Sequence, residues 1–334
     1  MKTSFFRPIP GKRELVTIIL LALEIILFGL ASDTFLTSVN IRTVIENAVE
    51  IGIIAIGMNL CISLGGIDLT VGSSLGVCAI ISGKLLQSGA NPVLILFASL
   101  GVGLCVGFVN GLIITTFDIP PIIATLALSN ILRALIFGLL GGRWLTGLPP
   151  LFTSMTKGSF LGIPGLLIVL VLFYLFFYFI MMNTPFGRHV YAVGSNPVAA
   201  RNVGIGIRKT KLIAFVISGS IVGFVAILYI SRMGAVDMTV GATLPIQCIA
   251  AVFIGGTSVG AKSGRGSLLG TLAGVFFIAF MKNGIVLLGV PSLLENAMIG
   301  SIIILSVIFD FFSGKIKNAL VMRKNLIAAR EMGK

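Results

Sequence analysis

Long apolar runs fill this chain, separated by short polar punctuation, and they are too continuous to be the single buried face of water-soluble helices. Crossing about 30 Å of hydrocarbon at about 1.5 Å per residue takes roughly 20 apolar residues. On that measure the sequence predicts spans over residues 14–32, 46–64, 70–88, 93–117, 120–140, 162–182, 210–231, 244–258, 267–288 and 296–312. The expected fold is all-α: a polytopic membrane helical bundle of about ten transmembrane helices with discontinuous segments. It forms one domain over 1–334, with spans within 14–312, a polar segment at 184–208 and a basic tail at 313–334.

Two runs resist reading as simple helices. Residues 65–76 interrupt apolar sequence with Gly65, Gly66 and Asp68, and residues 244–258 begin near Pro245 and end in Gly255 and Gly256, short for a full crossing. Broken helices are tolerated at membrane depth only where protein or a watery cavity satisfies the backbone, and they often mark a transport path. The two breaks echo each other: paired glycines precede Gly72-Ser-Ser-Leu-Gly76 in one and Gly266-Ser-Leu-Leu-Gly270 in the other.

Composition sharpens the picture. At 57% hydrophobic, 10% charged and a mean hydropathy of +1.11, the chain excludes a water-soluble domain. The 41 glycines suit helices that pack closely in lipid. A net charge of +13 invites a nucleic-acid reading, but the cations sit between apolar runs and follow the orientation rule for membrane loops instead. With the N-terminus inside, seventeen of the 24 Lys and Arg fall on the cytoplasmic side and five outside, with Arg133 and Lys282 within spans. Both termini are therefore expected in the cytoplasm. The four cysteines, Cys61, Cys78, Cys105 and Cys248, lie in apolar stretches without ligand spacing, so no metal site is expected. The basic N-terminus is read as leading into an uncleaved first span.

Polar residues inside spans are costly unless they face protein or water, so Asn59, Asn110, Asn130, Gln247 and Asn283 are the candidates for a solute path; interhelical packing is the competing explanation for each. Arg133 and Lys282 are expected to snorkel or to pair with a carboxylate, Glu46 and Glu50 to face water, and His189 to be solvated. Catalysis has no support: the sequence holds no zinc-type His cluster, no G-x-S-x-G elbow and no phosphate-binding G-x-x-x-x-G-K-[ST] loop.

The most informative polar segment is TPFGRHVYAVGSNPVAARNVGI, residues 184–205. Asn196 suits a helix cap with Pro197 in the first turn, and Gly204 suits a stop. The segment reads either as a short helix that docks in the groove of a soluble partner or as a basic loop that only fixes topology.

This segment resembles the cytoplasmic coupling loop of the ribose-type sugar permeases of ABC importers, at Thr184, Gly187, Arg188, Tyr191, Ala192, Gly194, Asn196, Ala199, Ala200, Gly204 and Ile205. Further likenesses follow in order: GGIDLTVGS at 65–73, Asn110-Gly111, the stretch from Pro121 to Leu126, IAAVFIGGTS at 249–258, and Asn283-Gly284. The resemblance runs from about residue 45 to 311 and implies a multi-pass permease of the bacterial inner membrane that does not itself hydrolyse ATP. It implies ATPase partner subunits that hold ATP and magnesium, a periplasmic or lipid-anchored solute-binding protein, and a second permease copy or paralogue. Arg188, Asn196, Ala199, Ala200, Arg201 and Gly204 would couple to the ATPase, with Arg188 and Arg201 as polar contacts, membrane lipid being the competing ligand for either arginine.

This chain departs from that family where an acidic residue usually precedes Ile249 by four positions; Pro245 stands there, and the GAKSGRGS loop that follows is long. The stretch GGRWLTGLP at 141–149 looks similar to permeases for autoinducer-2, leaving pentose, hexose and autoinducer-2 open as substrates. The competing class is an ion-gradient-driven secondary transporter using Asp68 or Asp310, both expected near cytoplasmic ends; a channel lacks any filter-like motif.

Overall fold

A computed structural model describes residues 12–154, 156, 158–257, 266–291, 294, 297–301 and 304. Most of the expected span 296–312, residues 260–265 of the GAKSGRGS loop, Asp310 and the tail 313–334 lie outside the described residues. In chain order the helices are α1 (Lys12–Ala31), α2 (Ser38–Ser63), α3 (Val71–Gln87), α4 (Pro92–Thr116), α5 (Pro121–Leu140) and the short α6 (Pro150–Ser154). A two-residue antiparallel hairpin follows, β1 (Ser159–Phe160) with β2 (Ile163–Pro164). Then come α7 (Gly165–Asn183), α8 (Pro185–Ser195), α9 (Pro197–Asn202), α10 (Ile207–Met233), α11 (Leu244–Ile254) and α12 (Leu268–Leu287).

Among the described residues, 7 of these helices are long and apolar enough to cross a membrane, namely α1, α2, α4, α5, α7, α10 and α12; α3 and α11 are apolar but shorter. The protein is thus an all-α polytopic membrane protein, with one small hairpin as its only regular β-structure among the described residues. Helix α2 is the axis, buried over 78% of its most apolar window, whereas α1 is buried over 11% and turns Leu23, Ile26 and Leu30 outward. Helices α4, α5 and α7 likewise expose Phe97, Ile131, Leu172 and Phe176, as lipid-facing surfaces do.

The tightest seam joins α4 and α10. Gly103, Gly107 and Gly111, one turn apart on α4, lie directly on the backbone of α10 at Gly219, Gly223, Phe215 and Leu212, and Ser99 Oγ donates to the Gly223 carbonyl at 2.6 Å. Lipid supplies no hydrophobic drive between helices, so this closeness of backbones is itself the source of attraction.

Of the interruptions expected from the sequence, Gly65, Gly66 and Asp68 lie between α2 and α3, and Gly255 and Gly256 lie at the end of α11. Helices α2 and α11 end alike: Gly65 (φ +78°) and Gly256 (φ +85°) take the left-handed conformation, and Gly66 N–H and Thr257 N–H reach back to the Cys61 and Val252 carbonyls. Pro245 does not interrupt a helix; it occupies the first turn of α11, where its missing N–H costs nothing. The interruption lies before it. Residues 234–243 run beside α3 without helical form, pairing Val236 with Leu145 through two 2.9 Å backbone hydrogen bonds and bringing Gly241 onto the backbone of Gly72. Helix α11 continues this descent for 11 residues, roughly 16 Å, about half a bilayer core.

Candidate coupling and transport site

The segment 184–205 folds as two capped helices rather than one. Thr184 ends α7 and opens α8, its Oγ1 accepting from Gly187 N–H at 3.4 Å, with Pro185 in the first turn. Asn196 repeats the arrangement for α9, its Oδ1 accepting from Ala199 N–H at 3.0 Å ahead of Pro197, and Gly204 (φ +81°) ends it. The expectation of a helix opened by Asn196 and closed at Gly204 matches this geometry. Helix α8 was missed, although Thr184-Pro185 carries the same polar-cap-then-proline signal as Asn196-Pro197.

The two helices face different ways. Helix α8 buries Gly187, Val190, Val193 and Gly194, with Gly194 pressed on the Ser63 carbonyl at the end of α2, and Tyr191 Oη donates to the Gly266 carbonyl at 3.2 Å, just ahead of α12. Helix α9 buries only Ala200; Val198, Ala199, Arg201 and Val203 stand exposed, as does Arg188 on α8. His189 is half-buried, not fully solvated. Beside α9, Arg208 and Asp118 form an ion pair at 3.1 Å that is largely in solvent and therefore adds little stability.

From the α8 contact, two polar clusters lead into the bundle. In the first, Asn59 of α2 is fully buried; its Nδ2 donates to Thr271 Oγ1 at 2.7 Å and Thr257 Oγ1 at 3.0 Å, tying α2 to both sides of the segment joining α11 to α12. In the second, Asp68 lies at the α2–α3 break, 1% exposed. Its Oδ1 accepts from Thr70 N–H and Thr70 Oγ1, and its Oδ2 accepts from Ser218 Oγ of α10 at 2.9 Å; Asn110 Nδ2 of α4 donates to Thr70 Oγ1 at 2.8 Å. Thr125 Oγ1 of α5 completes the set by donating to the Ile67 carbonyl at 2.9 Å. Ser218 is the twelfth residue of α10, roughly 16 Å along it, so Asp68 sits within the bundle and not at a helix end facing water. Burial of a carboxylate there is tolerable because neutral donors reach both of its oxygens.

The five path candidates are not brought together. Asn59 and Asn110 belong to these two clusters, Asn283 exchanges hydrogen bonds with Asn40 at 2.7 and 2.8 Å, and Gln247 is buried with Nε2 on Thr243 Oγ1 at 3.0 Å. Asn130 alone is exposed, on α5. Two charged expectations are corrected. Glu50 does not face water: it is 9% exposed and accepts from Arg232 Nε at 2.9 Å, because the end of α10 packs across it, while Glu46 pairs with Arg42 at the surface. Arg133 meets carbonyls rather than a carboxylate, donating from Nη1 to Val240 O at 2.7 Å, since the non-helical backbone of 234–243 leaves carbonyls there to accept. Among the described residues no group of three or more His, Cys, Asp or Glu is placed to hold a metal.

A bundle of lipid-facing helices with broken spans at its core and a helix held out from one end defines a membrane permease. The chain belongs to the permease family described as branched-chain amino acid transport system / permease component, whose profile matches residues 40–307. Among its relatives, the ribose import permease protein RbsC of Bacillus subtilis (strain 168) is 35% identical over 86% of this chain and 89% of its own length. The autoinducer 2 import system permease protein LsrC of Photorhabdus luminescens is 30% identical over 98% of each chain, and that of Escherichia coli (strain K12 / DH10B) is 28% identical over 93% of this chain and 90% of its own. No solved structure matches. The chain is a multi-pass inner-membrane transport component and not an enzyme.

Proposed function

We propose that this chain is the membrane-spanning subunit of an ATP-driven importer for a ribose-like or autoinducer-2-like solute, acting with ATPase subunits that hold ATP and magnesium and with a solute-binding protein that delivers cargo from outside. The chain crosses the membrane ten times with both termini in the cytoplasm, an orientation supported by the Lys and Arg asymmetry. A second permease copy or a paralogue completes the transporter. One observation carries the reading: α9 presents Val198, Arg201 and Val203 to solvent, while α8 beside it is fixed by backbone contact to the end of α2 and by the Tyr191 hydrogen bond to Gly266, just ahead of α12. An exposed element on a rigid mount is what a soluble motor needs to push on.

In the mechanism, ATP-driven closure of the paired ATPases displaces α9, and α8 passes the movement to Ser63 and Gly266. Both broken segments hang from those points, so they move as units. Energy enters because the nucleotide-bound and nucleotide-free ATPases bind α9 differently. Arg188 and Arg201 supply planar hydrogen-bonding forks toward the ATPase, Asn196 and Gly204 fix the two ends of α9, and Ala199 and Ala200 let it lie close to its partner on one side and the bundle on the other.

Uptake into cells carrying the whole transporter tests this. It should continue after ionophores collapse proton and sodium gradients, provided ATP is maintained, and stop when the partner ATPase carries a hydrolysis-blocking substitution. Uptake that ends with the gradients and ignores the ATPase substitution would assign the chain to secondary transport.

A further inference from the structure

We infer that the β1–β2 hairpin is a membrane anchor whose apolar tip, formed by Phe160, Leu161 and Ile163, rests among the lipid headgroups at the end of α7 opposite α8. The inference goes beyond the importer reading. It requires only that α7 crosses the membrane, whatever supplies the energy for transport.

The apolar run that supplies α7 begins before the helix does. Residues 158–182 contain no charged side chain and no amide, and only Ser159, Tyr174 and Tyr178 carry a hydroxyl. Helix α7 takes 19 residues, Gly165–Asn183, about 28 Å, which already spans the hydrocarbon core. The surplus folds back as the hairpin. Phe160 pairs with Ile163, and Gly165 N–H donates to the Gly158 carbonyl at 2.9 Å, which ties the hairpin to the first turn of the helix. Its position is therefore the boundary of the membrane.

The turn itself carries the wrong residue for water. Leu161 and Gly162 form its two central positions, with φ of +52° and +80°. A turn of that kind favours Asn or Asp ahead of Gly, because a leucine side chain crowds its own backbone at positive φ. Leu161 is also 87% exposed, and Phe160 and Ile163 beside it are 68% and 46% exposed. In water the tip would combine backbone strain with bare apolar surface. A strained residue that the turn does not call for points to a role outside the turn, and this side chain suits contact with an apolar medium.

Lipid fits this tip better than a soluble partner does. A protein interface surrounds its apolar centre with a polar rim, whereas residues 158–164 offer one hydroxyl and no charge. The hairpin instead leads directly into α7, whose Leu172, Leu175 and Phe176 face lipid. A ladder only two residues long leaves backbone groups that need water or headgroups, so the hairpin stays at the interface and out of the hydrocarbon. Anchored in this way, α7 is a post held by the membrane at one end and carrying α8 at the other.

The test uses the full-length permease in lipid vesicles, in a Cys105→Ala background, because the other three cysteines are buried. Nitroxide labels are placed on Leu161→Cys, on Leu172→Cys as a lipid-facing reference, and on Arg208→Cys as a water-facing one. Relaxation by dissolved oxygen, which concentrates in lipid, is compared with relaxation by a water-soluble nickel chelate. The oxygen-to-nickel ratio at 161 should exceed that at 208 at least fivefold and stay below that at 172. Equal ratios at 161 and 208 would place the tip in water and overturn the inference, as would a ratio at 161 that rises only when a solute-binding protein is added. A second label on Phe160→Cys reads the effect of Leu161→Asn, a replacement that suits positive φ and leaves the turn its shape. The ratio at 160 should then fall at least threefold, and an unchanged ratio would equally overturn the inference.

Discussion

Replacing Gly194 with valine should lower ATP-driven uptake at least tenfold while the permease still reaches the membrane. Gly194 is buried on α8 and meets the Ser63 carbonyl at the end of α2; a Cβ added there overlaps that oxygen. The obstacle is backbone on both sides, so no side chain can swing away. Overpacking of this kind costs about 1–3 kcal/mol even where side chains can adjust. Helix α8 must lift from α2, which also pulls Tyr191 from the Gly266 carbonyl and cuts the link from α9 to both broken segments. The proper comparison is Gly204→Ala, in the same loop. Gly204 has open space around it and only its φ of +81° to defend, a strain of roughly 1–2 kcal/mol, so its uptake should fall much less. Bulky replacement at exposed Ala199 separates docking from folding, because it alters only the surface offered to the ATPase. Uptake assays with matched membrane levels decide the matter, and wild-type uptake by Gly194→Val would break the proposed link between α8 and α2.

The second large effect is expected at Asp68. Substitution by alanine strips the acceptor from Thr70 N–H, Thr70 Oγ1 and Ser218 Oγ at once, in a site buried from bulk solvent. Each stranded donor costs about 1–3 kcal/mol, so the total is on the order of 3 kcal/mol or more. The detergent-solubilised protein should lose its fold at a clearly lower temperature. Asp68→Asn should keep most of the stability, because its remaining carbonyl oxygen serves both Thr70 donors and the Ser218 hydroxyl can turn to accept. A thermal midpoint for Asp68→Ala equal to wild type would show that the break is held by packing alone. Uptake by Asp68→Asn adds a separate answer: a carboxylate that carried a coupling proton would not tolerate the change, whereas a structural acceptor should.

Much of this was legible in the sequence, and the reasons are physical. Span positions follow from apolar length, and the helices α1, α4, α5 and α12 start and stop within two residues of expectation. Helix α9 was legible because Asn196, Pro197 and Gly204 each encode one backbone state. The motifs that carried the resemblance prove to be partners of one another: Asp68 and Thr70 with Asn110, and Ile67 with Thr125. What escaped was whatever depends on which side chains face each other. Nothing local marks Glu50 as the partner of Arg232, which follows it by 182 residues, or sends Arg133 to the carbonyls of a segment that looked like an ordinary loop. The non-helical descent at 234–243 was missed for the same cause. Its backbone is stabilised by Gly72, Leu145 and Arg133, none of which lies near it in sequence.

An ATPase can reach α9 only if α9 faces the cytosol. Val198, 70% exposed at the surface of α9, offers the direct measurement. Val198→Cys in the Cys105→Ala background should react with a membrane-impermeant maleimide in inside-out vesicles and stay unlabelled in right-side-out vesicles, with labelling blocked once the ATPase subunits are bound. Labelling from the outer side, or labelling indifferent to bound ATPase, would contradict the account.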